Sequence, residues 1–139
     1  MQHNTYPYFH LQENIYKPWI EVRLGSPLTH KVLPHPVVAL IDSGADVCFC
    51  SDALASYLGV ASTKKNVKKE KFTAANNQIF TAYKINLRLY ACGREYICPF
   101  FICSELPHET PIILGQKGFF TNHKILFDFP NKLMEIDTL

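Results

Sequence analysis

The residues best suited to chemistry lie in one short stretch, Ile41-Asp42-Ser43-Gly44-Ala45, which follows the apolar run Val37-Val38-Ala39-Leu40 and occurs once in the chain. A carboxylate on a tight glycine turn at the end of a buried strand is costly. An ionised carboxyl in apolar surroundings is destabilising by several kcal/mol unless it is paired, hydrogen-bonded or protonated. A chain carries that cost mainly where the carboxylate has a chemical task. Plainer readings stand beside this one. Asp42 can serve as a turn or capping residue at a strand–helix junction. Ser43 can satisfy local backbone groups. Asp46 can join a salt bridge or cap the following helix.

The five cysteines do not have metal-site spacing. Zinc sites show paired C-x2–4-C or H-x3–5-H, and Cys48-x-Cys50 and the isolated Cys92 do not fit. Cys98 and Cys103 have a compatible spacing, but their five-residue offset in a strand sends the side chains to opposite faces. Free thiols in the core or at the surface are therefore expected, with no metal and no organic cofactor. The six histidines are scattered and read as loop or surface residues. The basic run Lys64-Lys65-Asn66-Val67-Lys68-Lys69-Glu70-Lys71 lacks interleaved aromatics and reads as a solvated face, not a nucleic-acid site.

The elements that must position Asp42 follow from hydropathy period and turn residues. Residues 1–12 are polar and aromatic without a period, and read as a flexible N-terminal arm or a first edge strand. A strand is predicted over 16–24, a turn at Gly25-Ser26-Pro27, and a strand buried on both faces over 37–41. Residues 51–59 read as a helix that Ser51 can cap and Gly59 can end. A hairpin spans 72–82 with its tip at Ala75-Asn76-Asn77-Gln78. Residues 84–90 alternate, with Ile85, Leu87 and Leu89 on one face. A further strand covers 96–103, where Pro99 predicts an edge or a bulge. Pro111-Ile112-Ile113-Leu114-Gly115 is a second short buried strand, 116–123 is expected to form one or two helical turns, and a hairpin closes the chain around Pro130-Asn131-Lys132. The succession of apolar strand, glycine turn and short helix occurs at 37–58 and is echoed at 111–122.

Many short strands, little helix and regular turns predict an all-β, closed or sandwich-like fold. A length of 139 residues implies a single domain. Ten Phe and seven Tyr favour strands. A net charge of +2 is too small to imply a nucleic-acid partner. The N-terminus lacks the basic and apolar regions of a signal peptide, and no apolar run approaches the roughly 18 residues needed to span a bilayer, so a soluble, cytoplasmic protein without a membrane partner is expected.

The order strand–Asp-Ser-Gly-Ala, hairpin, strands, Ile-Leu-Gly, short helix resembles the retropepsin-like aspartic proteases over residues 15–137. The resemblance implies a closed β-barrel of the acid-protease half type, with a flap hairpin and one or two short helices. It implies that Asp42 is catalytic and that Ser43 braces the two catalytic loops across a dimer. Gly44 then allows close backbone approach. Ile113, Leu114 and Gly115 support the catalytic loop from beneath. Ala45 and Asp46 match positions that bond the substrate main chain, and the hairpin at Ala74, Ala75, Asn76 and Asn77 matches the flap. Two features depart from the family pattern: Val47-Cys48 replaces a polar residue, and the flap tip carries Asn76-Asn77 with no glycine.

The same resemblance implies peptide hydrolysis by two carboxyl groups sharing one proton, one acting as general base for water and one as general acid. With one motif per chain, a homodimer is needed to bring two Asp42 residues together. The N- and C-terminal strands, including 133–139, are expected to supply much of the dimer contact. The substrate is an extended peptide or protein segment. The rival reading is a catalytically inactive module of the same fold that binds peptide or only dimerises.

Overall fold

The computed structural model describes residues 2–60 and 69–139. In chain order the strands are β1 (Gln2–Pro7), β2 (Phe9–Gln12), β3 (Ile15–Lys17), β4 (Trp19–Gly25), β5 (Val37–Ile41) and β6 (Cys48–Ser51). Helix α1 (Asp52–Tyr57) follows, then β7 (Lys69–Thr73), β8 (Ile79–Ala91), β9 (Arg94–Cys103), β10 (Ile112–Leu114), β11 (His123–Asp128) and β12 (Leu133–Thr138). The N-terminal part of the basic run, up to Lys68, lies outside the described residues; Lys69 and Lys71 are exposed on β7.

Six strands close a barrel in the order β4-β5-β10-β6-β9-β8, and β4 returns to β8. Closure is possible because β4 has two halves. Trp19 to Val22 pair with β5, and Arg23 to Gly25 pair with β8. The interior is filled by side chains that alternate along the strands, with Leu24, Leu87, Leu89, Phe100, Ile112 and Leu114 completely buried. Each is worth roughly 1.5–3 kcal/mol by removal from water. No helix among the described residues is long and apolar enough to cross a membrane.

Local signals set the connections. Cys92 and Gly93 both have positive φ, 55° and 76°, the geometry of a two-residue turn whose twist matches its flanking strands. Helix α1 starts at Ser51, whose side chain accepts from the Leu54 amide at 3.3 Å, and ends before Gly59 at φ 76°.

Several expectations need correction. Residues 116–123 form no helix. Gly118, at φ 114°, interrupts the helical path, and the segment closes as a series of turns with Thr121 N bonding Gln116 O at 3.0 Å. Pro99 lies neither on an edge strand nor at a bulge, since β9 runs between β8 and β6 and Pro99 pairs with Asn86 in regular register. Counting alternate pairs from Ala91–Arg94 beside the turn puts Pro99 at a position that donates no bond to β8. Pairing with β6 begins only at Phe100, so the missing N–H costs nothing on that side either. Strand β5 buries Ala39 and Ile41, but Val38 and Leu40 are half-buried, so only one of its faces meets the main core. The strand expected over 16–24 is broken at Pro18 into β3 and β4.

The N-terminal residues form an edge strand, not a loose arm. β1 pairs along its length with β12, and β12 pairs on its other side with β11. His3 on β1 bonds Asp137 and lies 3.4 Å from Glu135 on β12. Both edges of the C-terminal strand are thus used within the chain. Among the described residues, the outer edges of β1 and β11 are the unpaired edges of this sheet.

Candidate active site

β5 and β10 lie side by side and parallel, with Ile112, Ile113 and Leu114 opposite Ala39, Leu40 and Ile41. The echo between the two halves of the sequence is therefore a spatial adjacency. Both strands stop at the same level, and Asp42 N donates to Leu114 O at 3.0 Å across the gap. The Asp42 loop closes on itself, with Ala45 N to Asp42 O at 3.2 Å and Gly44 N to Asp42 Oδ1 at 2.9 Å. That amide bond fixes one carboxylate oxygen. A Cβ on Gly44 would sit 3.2 Å from the same oxygen.

The segment after β10 locks the loop from the other side. Gln116 N donates to Ala45 O at 2.8 Å and Lys117 N to Asp46 O at 2.9 Å. Gln116 Nε2 donates to Ser43 O at 2.7 Å. Gly115 is buried between these strands, where a Cβ would lie 2.6 Å from Ala45 O and closer still to Val47 O. No side chain fits there, which is the steric reason for glycine after Ile113-Leu114.

Above the loop, β7 and the start of β8 form a hairpin. Its turn is held by Ala74 N to Gln78 O at 2.8 Å and Asn77 N to Ala74 O at 2.9 Å. Asn77 takes φ 65°, a conformation asparagine tolerates, and Asn76 Oδ1 accepts from Gln78 N at 3.0 Å. Between hairpin and loop runs a cleft of about 680 Å³, lined among others by Asp42, Asp46, Phe49, Phe80, Leu106 and Ile113. An aromatic cluster of Phe49, Phe72, Phe80 and Phe101 supports the hairpin, with Phe49 and Phe72 edge to face at 5.1 Å.

Of the residues singled out from sequence, Asp42, Gly44, Ala45, Asp46, Ala74, Ala75, Asn76 and Ile113 meet at this cleft. Ser43 is exposed on the loop outside it, Leu114 and Gly115 lie buried beneath, and Asn77 stands at the hairpin turn. Asp46 does not cap α1, because Ser51 does. Ile113 is half-buried and faces the cleft, not only the support beneath it. Sequence reasoning missed Gln116, Phe49, Leu106 and Glu105. The position of Gln116 directly after Ile-Leu-Gly was the available signal for the first; the others are brought in only by the barrel.

A carboxylate held by one amide, on the floor of a groove with an apolar wall and an overhanging hairpin, suits acid–base work on an extended chain. The barrel, the hairpin and this loop together form a retropepsin-like fold. A solved retropepsin-like aspartic protease from Rickettsia conorii superposes on it with a TM-score of 0.67, over 97% of this chain and 98% of that one, at 16% sequence identity. At that identity the likeness is one of fold. No protein-family model matches the sequence. No curated protein matches it either.

Proposed function

We propose that this chain is an aspartic endopeptidase that cleaves extended peptide segments as a homodimer, with Asp42 of each copy at the two-fold axis. The observation that carries the reading is the Asp42 carboxylate, fixed by Gly44 N at 2.9 Å at the floor of a cleft that the Asn76–Asn77 hairpin overhangs. Each chain supplies one such loop, and acid–base hydrolysis of a peptide needs two carboxyl groups. A symmetric pair meets that need because two carboxyl groups about 3 Å apart hold one proton between them.

In this mechanism one Asp42 takes a proton from the attacking water, and its partner's Asp42 gives a proton to the peptide carbonyl oxygen. The Asp42 that took the water's proton then gives it to the leaving nitrogen as the C–N bond breaks, the other takes a proton back from a hydroxyl of the tetrahedral intermediate, and the pair again holds one proton. Asp46, Ala45 and the hairpin backbone hold the substrate as an added strand. The apolar wall of Phe49, Phe80, Leu106 and Ile113 receives its side chains.

The test is sedimentation of the purified protein beside peptide-library cleavage over about pH 3 to 7, wild type against Asp42→Asn. A wild-type dimer that cleaves, and a mutant dimer of unchanged stability that does not, is the expected result. A mutant that cleaves as well as wild type overturns the assignment. A wild-type dimer inactive throughout that also fails to bind a statine-type transition-state mimic more tightly than substrate favours the non-cleaving module.

A further inference from the structure

Two thiols lie against the 115–118 segment that braces the Asp42 loop. Cys48 Sγ and Cys98 Sγ are 3.9 Å apart, and both residues are fully buried. They sit on neighbouring parallel strands, Cys48 at the first position of β6 opposite Phe100, and Cys98 two residues earlier on β9. Cys98 and Phe100 share a strand face, which brings the thiols together.

Their surroundings are the segment that braces the site. Gly115 N donates to Cys48 Sγ at 3.3 Å. Cys48 Sγ lies 3.6 Å from Lys117 O, and Cys98 Sγ lies 3.6 Å from Gly118 O. A Cβ on Gly118 would come within 2.9 Å of Cys98 Sγ and 3.2 Å of Cys48 Sγ, so this turn is packed onto the sulfur pair. The two thiols also differ in kind. The donated Cys98 S–H and, less strongly, the Gly115 amide hold Cys48 below the usual thiol value against its burial. Cys98 is pushed up by the same contact and by burial. Burial pushes Cys50 up to about 12, with Asp52 adding to the effect, and raises Cys92 and Cys103 as well. Cys98 is thus the donor of the pair and Cys48 the acceptor.

We propose that Cys48 and Cys98 are a peroxide-oxidisable dithiol whose disulfide form displaces the 115–118 turn and unseats the Asp42 loop. Cys48, as thiolate, attacks one peroxide oxygen. The S–O bond forms, the O–O bond breaks, and the hydroxide released takes up the thiol proton as water. Cys98 sulfur then attacks the sulfenic sulfur of Cys48. The S–S bond forms, the S–O bond breaks, and hydroxide leaves with the Cys98 proton as a second water. Two thiols lose two electrons and one hydrogen peroxide becomes two waters.

The consequence follows from which strand can give. The sulfurs must close from 3.9 Å to about 2.0 Å. β9 is paired to β8 from Arg94 to Tyr83's partner Ile102, whereas Cys48 only begins β6. Movement therefore falls on Val47 and Cys48, and on the Gly115 amide that loses its sulfur acceptor. Those residues directly adjoin the bonds from Gln116 N to Ala45 O and from Lys117 N to Asp46 O. The effect on cleavage rests on the proposed function; the cross-link and the loosening of the turn do not.

The experiment treats the purified full chain with hydrogen peroxide, maps its peptides under non-reducing conditions, and follows amide exchange. Expected are a Cys48–Cys98 cross-linked peptide reversed by dithiothreitol, and exchange about tenfold faster at the amides of 44–46 and 115–117. Cleavage, where present, falls in proportion to the cross-link. The Cys98→Ala variant should show neither the cross-link nor the change in exchange; if it fails to fold, the wild-type map decides alone. Absence of the cross-link, a cross-link between other cysteines, or a Cys48–Cys98 bond that leaves exchange at 44–46 unchanged overturns the proposal. A protein that forms the cross-link with faster exchange but never cleaves peptide leaves this inference standing and removes the protease reading.

Discussion

Gln116 Nε2 donates to the Ser43 carbonyl at 2.7 Å, tying the residue that follows Leu114-Gly115 to the residue that follows Asp42. The bond is exposed, so its contribution to stability is small, about 1 kcal/mol or less. Its position matters more, because it holds the loop that aims the carboxylate. Gln116→Ala is expected to leave the urea midpoint nearly unchanged while kcat falls about tenfold, since displacement of a catalytic group by 1 Å can cost far more than that. Equal kcat in the two proteins would show that the backbone bonds from Gln116 and Lys117 suffice.

Gly115 leaves no such margin. Its Cβ would overlap the Ala45 and Val47 carbonyls, which are rigid backbone and not movable side-chain ends. Gly115→Ala is expected to destabilise the fold by about 3 kcal/mol, the upper range for overpacking. Chemical denaturation of the variant beside wild type measures it, and a loss under 1 kcal/mol would mean that the two strands separate with little resistance.

Asn77 bears the left-handed conformation of the hairpin turn. Asn77→Gly is expected to be close to neutral for stability, whereas Asn77→Val should cost about 1–2 kcal/mol, because a β-branched side chain is strained there. Peptide affinity should fall with Val and not with Gly. Thermal melts and titration with a transition-state mimic separate the effects.

His123 gives a pH dependence. It is buried and stacked on Phe119 at 4.3 Å, and its Nδ1 bonds Phe119 O at 2.9 Å. Burial holds it below the usual histidine value, against the opposing effect of the Phe119 carbonyl. The unfolded chain takes up this proton near pH 6.5, and the folded chain only at lower pH. Stability is therefore full above about pH 6.5 and declines on acidification towards the folded value, by at most about 1.4 kcal/mol per pH unit from this group. His123→Asn, which keeps a donor for the Phe119 carbonyl, should start less stable near neutral pH and lose less between about pH 7 and 5. Denaturation midpoints at several pH values check the slope, and identical slopes in the two proteins would remove His123 as its source.

Local signals that depend on a few neighbouring residues were legible in the sequence. The Ser51 cap, the hairpin at Asn76-Asn77 and the strand over 37–41 each rest on a conformational preference that a short segment carries with it. The opposite faces of Cys98 and Cys103 follow from strand period alone, and the two do sit in different apolar clusters. Asp42 stood out in the sequence because a carboxylate after an apolar run conflicts with its surroundings, and in the structure it lines the cleft.

What the sequence did not determine depends on which segments meet. Pro99 reads as an edge signal, yet it is tolerated inside the barrel, because pairing parity and the late start of β6 leave its missing N–H without a partner to lose. Residues 116–123 read as one or two helical turns, but Gly118 must pack against two sulfurs and takes a conformation that no helix contains. Gln116, Phe49 and the Cys48–Cys98 contact join positions far apart in the chain, and no local pattern announces them. The sequence by itself determined the loop that carries Asp42 and the hairpin turn. Only the tertiary structure decided that β5 and β10 run side by side, because pairing of remote parallel strands is set by closure of the barrel and burial of its interior.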